Sequence, residues 1–267
     1  MKYCRFNLNG QTHYGAVEDR NGELWITGPA PAPDEDLAFK LQAVGPASSF
    51  APMPLSAALL LPPVTPSKIV CVGRNYRAHV RELGNEMPTE PLIFLKPPSS
   101  LLAPGGVIRM PAVSQRVDYE GELAVVIGRR ARNLDPSDNW RDVVRGFTLA
   151  NDVTARDLQN KDDQWTRAKG FDTFCPVGPI VSDELNLDAG LTIETHLNGE
   201  RRQQGNTLDF IFSLPELLAF ITSVFTLEPG DLLLTGTPSG IAPLSPGDRV
   251  EVSIPGLGVL VNTVEAQ

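Results

Sequence analysis

What most limits the folds open to this chain is how its apolar residues are portioned. Between residues 68 and 264 they fall into eight short runs, at 68–72, 92–96, 123–127, 146–151, 191–197, 231–234, 249–253 and 258–264. The runs are rich in aliphatic residues and are set among Gly, Pro, Asn and Asp, the punctuation of strands. Only three stretches, 74–83, 155–160 and 213–225, have helical spacing. The last places Leu214, Leu217, Leu218 and Ile221 on one face behind Ser213-Leu214-Pro215-Glu216. Helices so few, and not alternating with the strands, argue against a doubly wound sheet or a (β/α)8 barrel. A β-rich α+β fold is expected. The 23 glycines and 24 prolines supply the turns that so many short strands require.

Two hairpin cues, Asn9-Gly10 and Arg20-Asn21-Gly22, separate three strand-like runs within residues 1–28, which predicts a small antiparallel meander. Pro, Ala and acidic residues follow up to Asp36, and 51–66 is again rich in proline. The expected organisation is a small β-rich N-terminal domain with a Pro-rich linker over 1–64, and a larger catalytic domain over 65–267. No apolar run approaches the roughly 20 residues that a bilayer demands, so no membrane partner is expected. The first residues lack an apolar signal core, and Cys4, Cys71 and Cys175 are too few for a disulfide framework. A reducing, cytoplasmic location is expected. A net charge of −9 repels phosphate backbones, and Arg129-Arg130-Ala131-Arg132 reads as a solvated turn, so no nucleic-acid partner is expected either.

The sharpest chemical feature is Asp118-Tyr119-Glu120-Gly121-Glu122, which leads into the apolar run 123–127. On a strand, residues two apart share a face, so Glu120 and Glu122 would stand side by side while Gly121 leaves the other face open. Shielded from water, two such anions stay ionised near neutral pH only with a cation between them, and a hard divalent ion suits oxygen ligands. Two solvated glutamates at a strand end are the plain alternative. Asp152 follows the run 146–151 and can join the pair from a neighbouring strand, or else N-cap a helix beginning near Thr154. Lys169 could bring a cation to the same basin, or be simply solvated. His79 and Glu82, three apart on a predicted helix, share a face. The carboxylate can then hold one imidazole nitrogen and raise the basicity of the other, as in a general base, or form only a surface salt link. His13 and His196 read as structural. Thr235-Gly236-Thr237-Pro238-Ser239-Gly240 lacks the lysine and spacing of a P-loop, no Gly-x-Ser-x-Gly elbow occurs, and Cys71 reads as a buried strand residue.

Over residues 68–264 the chain resembles the fumarylacetoacetate hydrolase family, most closely its acylpyruvase-like and bacterial single-domain members. The matching stretches are Val70-Cys71-Val72-Gly73-Arg74-Asn75-Tyr76 with His79 and Glu82, Phe94-Leu95-Lys96-Pro97, Glu120-Gly121-Glu122-Leu123, Asn151-Asp152-Val153-Thr154-Ala155-Arg156-Asp157, residues 169–179 and residues 234–240, in this order. The resemblance implies a mixed β-sandwich roll, a homodimer, and Mg²⁺ or Mn²⁺ held by Glu120, Glu122 and Asp152. Lys169 matches a lysine beside the metal, Gln159 a polar residue near the ligand, and Arg74, Asn75 and Thr237 positions that line the pocket. His79 and Glu82 match a base dyad on a mobile segment that orders over substrate. The implied activity is cleavage of a C–C bond in acylpyruvate-like or oxaloacetate-like 2-oxo acids, by hydrolysis or decarboxylation through a metal-stabilised enolate. Isomerisation or decarboxylation of 2-hydroxy-diene-dioates in aromatic catabolism, and a ureidoglycolate-lyase-like reaction, fit the same residues. From a different class, the carboxylates could clamp strands around a metal in a non-catalytic binding protein.

Overall fold

The computed structural model describes residues 1–33, 36 and 50–267; of the expected N-terminal domain and linker, residues 34, 35 and 37–49 lie outside the described residues. Two sheets form the body. Ten strands of the larger one follow each other in the order Met53–Pro54, Glu23–Pro29, Gln11–Arg20, Lys2–Leu8, Cys175–Ser182, Val144–Asn151, Gly121–Ile127, Leu232–Leu234, Ile69–Gly73 and Leu92–Lys96. Leu59–Leu61 pairs with Lys2–Leu8, and Leu101–Leu102 runs parallel to Cys175–Ser182. The smaller sheet has the order Glu200–Asn206, Thr192–Leu197, Arg249–Ile254, Gly258–Ala266 and Val107–Met110. All eight expected runs are strands to within a few residues, and the helices Arg77–Glu82, Arg156–Lys161 and Leu214–Val224 fall at the expected stretches. The longest helix is capped as its sequence promises: the Glu216 carboxylate accepts from both the backbone N–H and the hydroxyl of Ser213, at 2.7 Å each, a cap of a kind that stabilises by about 1 kcal/mol.

The strand Gly121–Ile127 runs through the middle of the larger sheet and is buried on both faces. Leu123, Val125 and Ile127 pack with Val252, Ile254 and Leu260 of the smaller sheet and with Leu217, Leu218 and Ile221 of the long helix. Ala124 and Val126 pack on the other face with Cys71, Cys175 and Leu234. A strand covered twice shows an unbroken apolar run instead of alternation, as 123–127 does. Fully burying each large aliphatic side chain there stabilises by roughly 1.5–3 kcal/mol.

Cys175–Ser182 is a central strand that the sequence conceals. Pro176 and Pro179 cannot donate to a ladder and argue against a mid-sheet position. The sheet absorbs them by an irregularity: between the pairs Phe147↔Ser182 and Leu149↔Gly178 this strand carries more residues than its neighbour. On its other side it pairs with the N-terminal meander at Lys2↔Ser182 and Tyr3↔Val181, so the meander continues the larger sheet. The three cysteines are free and buried. No described helix is long and apolar enough to cross a membrane.

Candidate active site

The antiparallel pair Gly121↔Asn151 sets the geometry of the acidic cluster. Asn151 Oδ1 accepts the Glu120 N–H at 2.8 Å, and the Asp152 N–H donates to the Glu120 carbonyl at 2.8 Å, so Asp152 leaves its strand beside the two glutamates. One carboxylate oxygen each from Glu120, Glu122 and Asp152 lies within 4.8 Å of the others, and all three side chains are buried. Two local expectations need correction. Gly121 does not face open space: a Cβ there would lie 2.1 Å from Thr195 Oγ1 and 3.2 Å from Val252. Glycine is required because the smaller sheet presses against the strand at this point, and that contact fixes the strand start between Glu120 and Glu122. Asp152 is not a helix cap either, because Thr154–Ala155 pairs with Val117–Asp118 as a short ribbon and the helix starts only at Arg156, behind Ala155.

Buried cations surround the cluster. Lys169 Nζ donates to Glu120 Oε2 at 2.9 Å and to Asp152 Oδ2 at 2.5 Å. Lys96 Nζ donates to Asp152 Oδ1 at 2.6 Å and to the Val153 carbonyl at 3.2 Å. Arg156 donates to Glu120 Oε1 and, through Nε, to Asp118 Oδ2 at 2.9 Å. Glu122 has no ion pair among the described residues; its Oε2 accepts the Gly236 N–H at 2.6 Å. The two glutamates therefore titrate in opposite directions. Burial would raise Glu120, but Lys169 and Arg156 outweigh it and hold that carboxyl well below the usual range. Burial, with Asp152 and Glu120 close by, pushes Glu122 well above it. Desolvation works against the Lys169 ammonium, yet Asp152 and Glu120 keep it charged. A carboxyl driven towards neutrality by burial and anionic neighbours ionises when a further cation stands before it, and an all-oxygen donor set fits a hard divalent ion.

His79 is buried, and its Nδ1 lies 2.9 Å from Glu82 Oε2. An ionised carboxylate only accepts, so with the imidazole neutral this contact selects the tautomer that has its proton on Nδ1 and its lone pair on Nε2. Glu82 Oε1 accepts the Gly240 N–H at 2.8 Å. His79 and the acidic cluster line one cleft of about 220 Å³, together with Arg74, Gln159, Trp165 and Thr237, while Glu82 stands behind His79 and reaches the cleft only through it. Gln159 Oε1 accepts from Arg156 Nη1 at 2.5 Å, and the Thr237 hydroxyl donates to the Gly121 carbonyl at 2.9 Å. Arg74 sits at a left-handed φ of 60°, a conformation that in a non-glycine residue clusters at functional sites.

Asn75 does not join the residues lining the cleft. It is fully buried, donating to the Thr235 carbonyl at 2.9 Å and accepting the Phe212 N–H at 2.9 Å. It ties the approach to the dyad helix onto the 235–240 loop. Lys96 and Arg156 were given no role from sequence. Lys96 ends the partly exposed edge strand Leu92–Lys96 and Arg156 follows the buried ribbon strand Thr154–Ala155, so a basic residue at a strand end is the signal the sequence offers for either.

Residues 68–265 match the family model described as fumarylacetoacetate (FAA) hydrolase C-terminal. The mitochondrial oxaloacetate decarboxylase of Dictyostelium discoideum is 46% identical over 199 residues, spanning 72% of this chain and 91% of that protein. The oxaloacetate tautomerase YisK of Bacillus subtilis is 37% identical over 248 residues, spanning 88% of this chain and 79% of that protein. Among solved structures, a 5-carboxymethyl-2-hydroxymuconate delta-isomerase from Mycobacterium smegmatis matches with a TM-score of 0.85 at 35% identity over 100% of both chains. The chain belongs to the fumarylacetoacetate hydrolase family, and its β-rich mixed-sheet fold is the one that the resemblance implied. The named relatives are enzymes: a decarboxylase and a tautomerase of oxaloacetate, and an isomerase of 5-carboxymethyl-2-hydroxymuconate.

Proposed function

We propose that the protein is a Mg²⁺- or Mn²⁺-dependent enzyme that moves a proton at C3 of short, oxaloacetate-like 2-oxo acids, interconverting keto and enol forms and releasing the C4 carboxylate as carbon dioxide. The observation that carries this reading is the meeting, in one cleft, of His79, backed by Glu82, and a three-carboxylate cluster with Lys169 between two of its members. Glu120, Glu122 and Asp152 would hold the ion, which when bound supplies Lewis acidity to the keto oxygen of the substrate. His79 Nε2 takes the proton from C3, and Glu82 stabilises the imidazolium that results. In decarboxylation no C3 proton is taken: the C3–C4 bond of the keto form breaks, its electron pair passes into the enolate as carbon dioxide leaves, and a proton drawn from solvent is delivered to C3 through His79 Nε2. Lys169, held charged by Asp152 and Glu120, adds positive potential where the enolate oxygen develops. The cleft of about 220 Å³ lies below the roughly 300–1,000 Å³ common for ligand pockets, which favours a compact acid over a long one.

The test is turnover of oxaloacetate with Mg²⁺ or Mn²⁺, following the enol absorbance and the pyruvate formed. His79→Ala is expected to lower turnover by on the order of 10²-fold or more with metal binding retained. Unchanged turnover would remove the dyad from the reaction. A second reading, isomerisation of 2-hydroxy-diene-dioates, is favoured by the full-length likeness to the mycobacterial isomerase. It requires a moving diene absorbance that survives His79→Ala. Acylpyruvates and ureidoglycolate complete the substrate panel.

A further inference from the structure

The glycine-rich loop 235–240, which matched no phosphate-binding motif, links the two halves of the site. Its Gly236 N–H donates to Glu122 Oε2 at 2.6 Å, and its Gly240 N–H donates to Glu82 Oε1 at 2.8 Å. Both glycines hold left-handed backbone, with φ of 99° and 104°. A Cβ on Gly240 would lie 2.1 Å from the Arg202 carbonyl, so no other residue fits there. The loop is fixed along its length: Thr235 and Thr237 hydroxyls donate to the Leu123 and Gly121 carbonyls, and the buried Gln203 amide donates to Thr237 Oγ1 and the Pro238 carbonyl while its oxygen accepts the Gly121 N–H. At the far end, the Tyr119 hydroxyl donates to the Gly240 carbonyl at 2.9 Å.

We propose that Tyr119 is a positioning residue for the base dyad, acting through Gly240 and Glu82. Tyr119 is fully buried and immediately precedes Glu120, so its hydroxyl ties the Gly240 carbonyl to the segment that leads through Glu120 into the strand bearing Glu122. The N–H of the same residue, on the preceding peptide group, donates to Glu82, so the two contacts are joined through the Gly240 Cα, whose neighbours leave it no room to shift. The dyad helix needs such an anchor because it has only six residues, too few to be stable alone, and because the Glu82 side chain is 30% exposed. Without a fixed amide, the Glu82 carboxylate regains rotamer freedom and His79 Nε2 loses its aim. The Tyr119 ring also packs in the cluster with Ile108, Val117 and Val250. Tyr119→Phe keeps that packing and removes only the hydroxyl.

This inference rests on the dyad acting as the base, so the experiment has one readout that is independent of turnover. Wild type, Tyr119→Phe, Glu82→Ala and the double variant are compared as Mn²⁺-loaded proteins. Amide hydrogen exchange over residues 77–84 is expected to rise about 10-fold in each single variant, the size of one hydrogen bond, with exchange over 121–127 and Mn²⁺ affinity unchanged. For oxaloacetate, kcat is expected to fall about 10-fold in Tyr119→Phe with KM held within about twofold, and the double variant should be no worse than Glu82→Ala alone. Unchanged kcat in Tyr119→Phe, or losses that multiply in the double variant, would overturn the proposal. Should wild type turn over none of the acids, the functional reading fails, and unchanged exchange over 77–84 in Tyr119→Phe would separately overturn the positioning role.

Discussion

Replacing Lys169 by methionine keeps the apolar stem and deletes the ammonium. The side chain is 2% exposed and donates to both Glu120 and Asp152. Removing one partner from a buried ion pair costs about 3–5 kcal/mol, because the remaining charge is left without compensation. Each carboxylate here keeps one cation, Arg156 on Glu120 and Lys96 on Asp152, which places the cost near the low end, at about 3 kcal/mol. For a chain of this length that corresponds to a fall in Tm of roughly 5–6 °C, measured by calorimetry in the presence of a chelator. The same ammonium competes with a divalent ion for Glu120 and Asp152, so the variant should bind Mn²⁺ more tightly than wild type. The Tm gap between the two proteins should therefore narrow in Mn²⁺, since an ion at 100 times its Kd adds about 2.7 kcal/mol. A variant with unchanged Tm in chelator, or a gap that widens in Mn²⁺, would refute the reasoning that Lys169 shares its carboxylates with a metal site.

The two glutamates predict stability changes in separate pH windows. Glu122 titrates above the ordinary value of 4.5, so its contribution in the metal-free protein is complete below that pH and is lost as pH rises towards its raised value. Glu120 titrates below 4.5, so its contribution is present above that pH and lost on acidification. Denaturant melts of wild type and Glu122→Gln between pH 4 and 8 test this: the wild-type decline across the upper window should be absent from the variant. In calorimetry with two buffers of different ionisation enthalpy, Mn²⁺ binding within the upper window should release up to one proton. Gly121→Ala places a methyl carbon where Thr195 Oγ1 already lies. It should cost more than the roughly 1–3 kcal/mol of ordinary overpacking and weaken metal binding with it, while Gly28→Ala, which meets nothing within 4 Å and sits on ordinary strand backbone, serves as the control.

Much of this was legible in the chain. The strand Gly121–Ile127 announced itself because burial on both faces demands a continuous apolar run, and the acidic pair at its start followed from the two-residue period of a strand. The dyad was legible because a spacing of three has one meaning on a helix. Cys175–Ser182 was not legible, since its prolines are tolerated only by a local slip against Val144–Asn151 that no short-range pattern encodes. Glu200–Asn206 was missed for another reason: it is an edge strand of the smaller sheet, and five of its first six residues are charged or amide side chains. Lys96 and Arg156 acquire their roles only when distant strands converge, and the place of Asn75 beneath the cleft depends on Phe212 and Thr235, more than 130 residues away. The link from Glu122 through the 235–240 loop to Glu82 is likewise a product of packing.

One calorimetric titration with Mn²⁺ bears most directly on the convergence of Glu120, Glu122 and Asp152 at an ion. Wild type should bind one ion per chain, and Glu122→Gln, which preserves shape while removing the carboxyl that has no ion pair among the described residues, should bind on the order of 10²-fold more weakly. Equal affinity in the two proteins, or no binding by wild type, would contradict a metal centre at these three side chains.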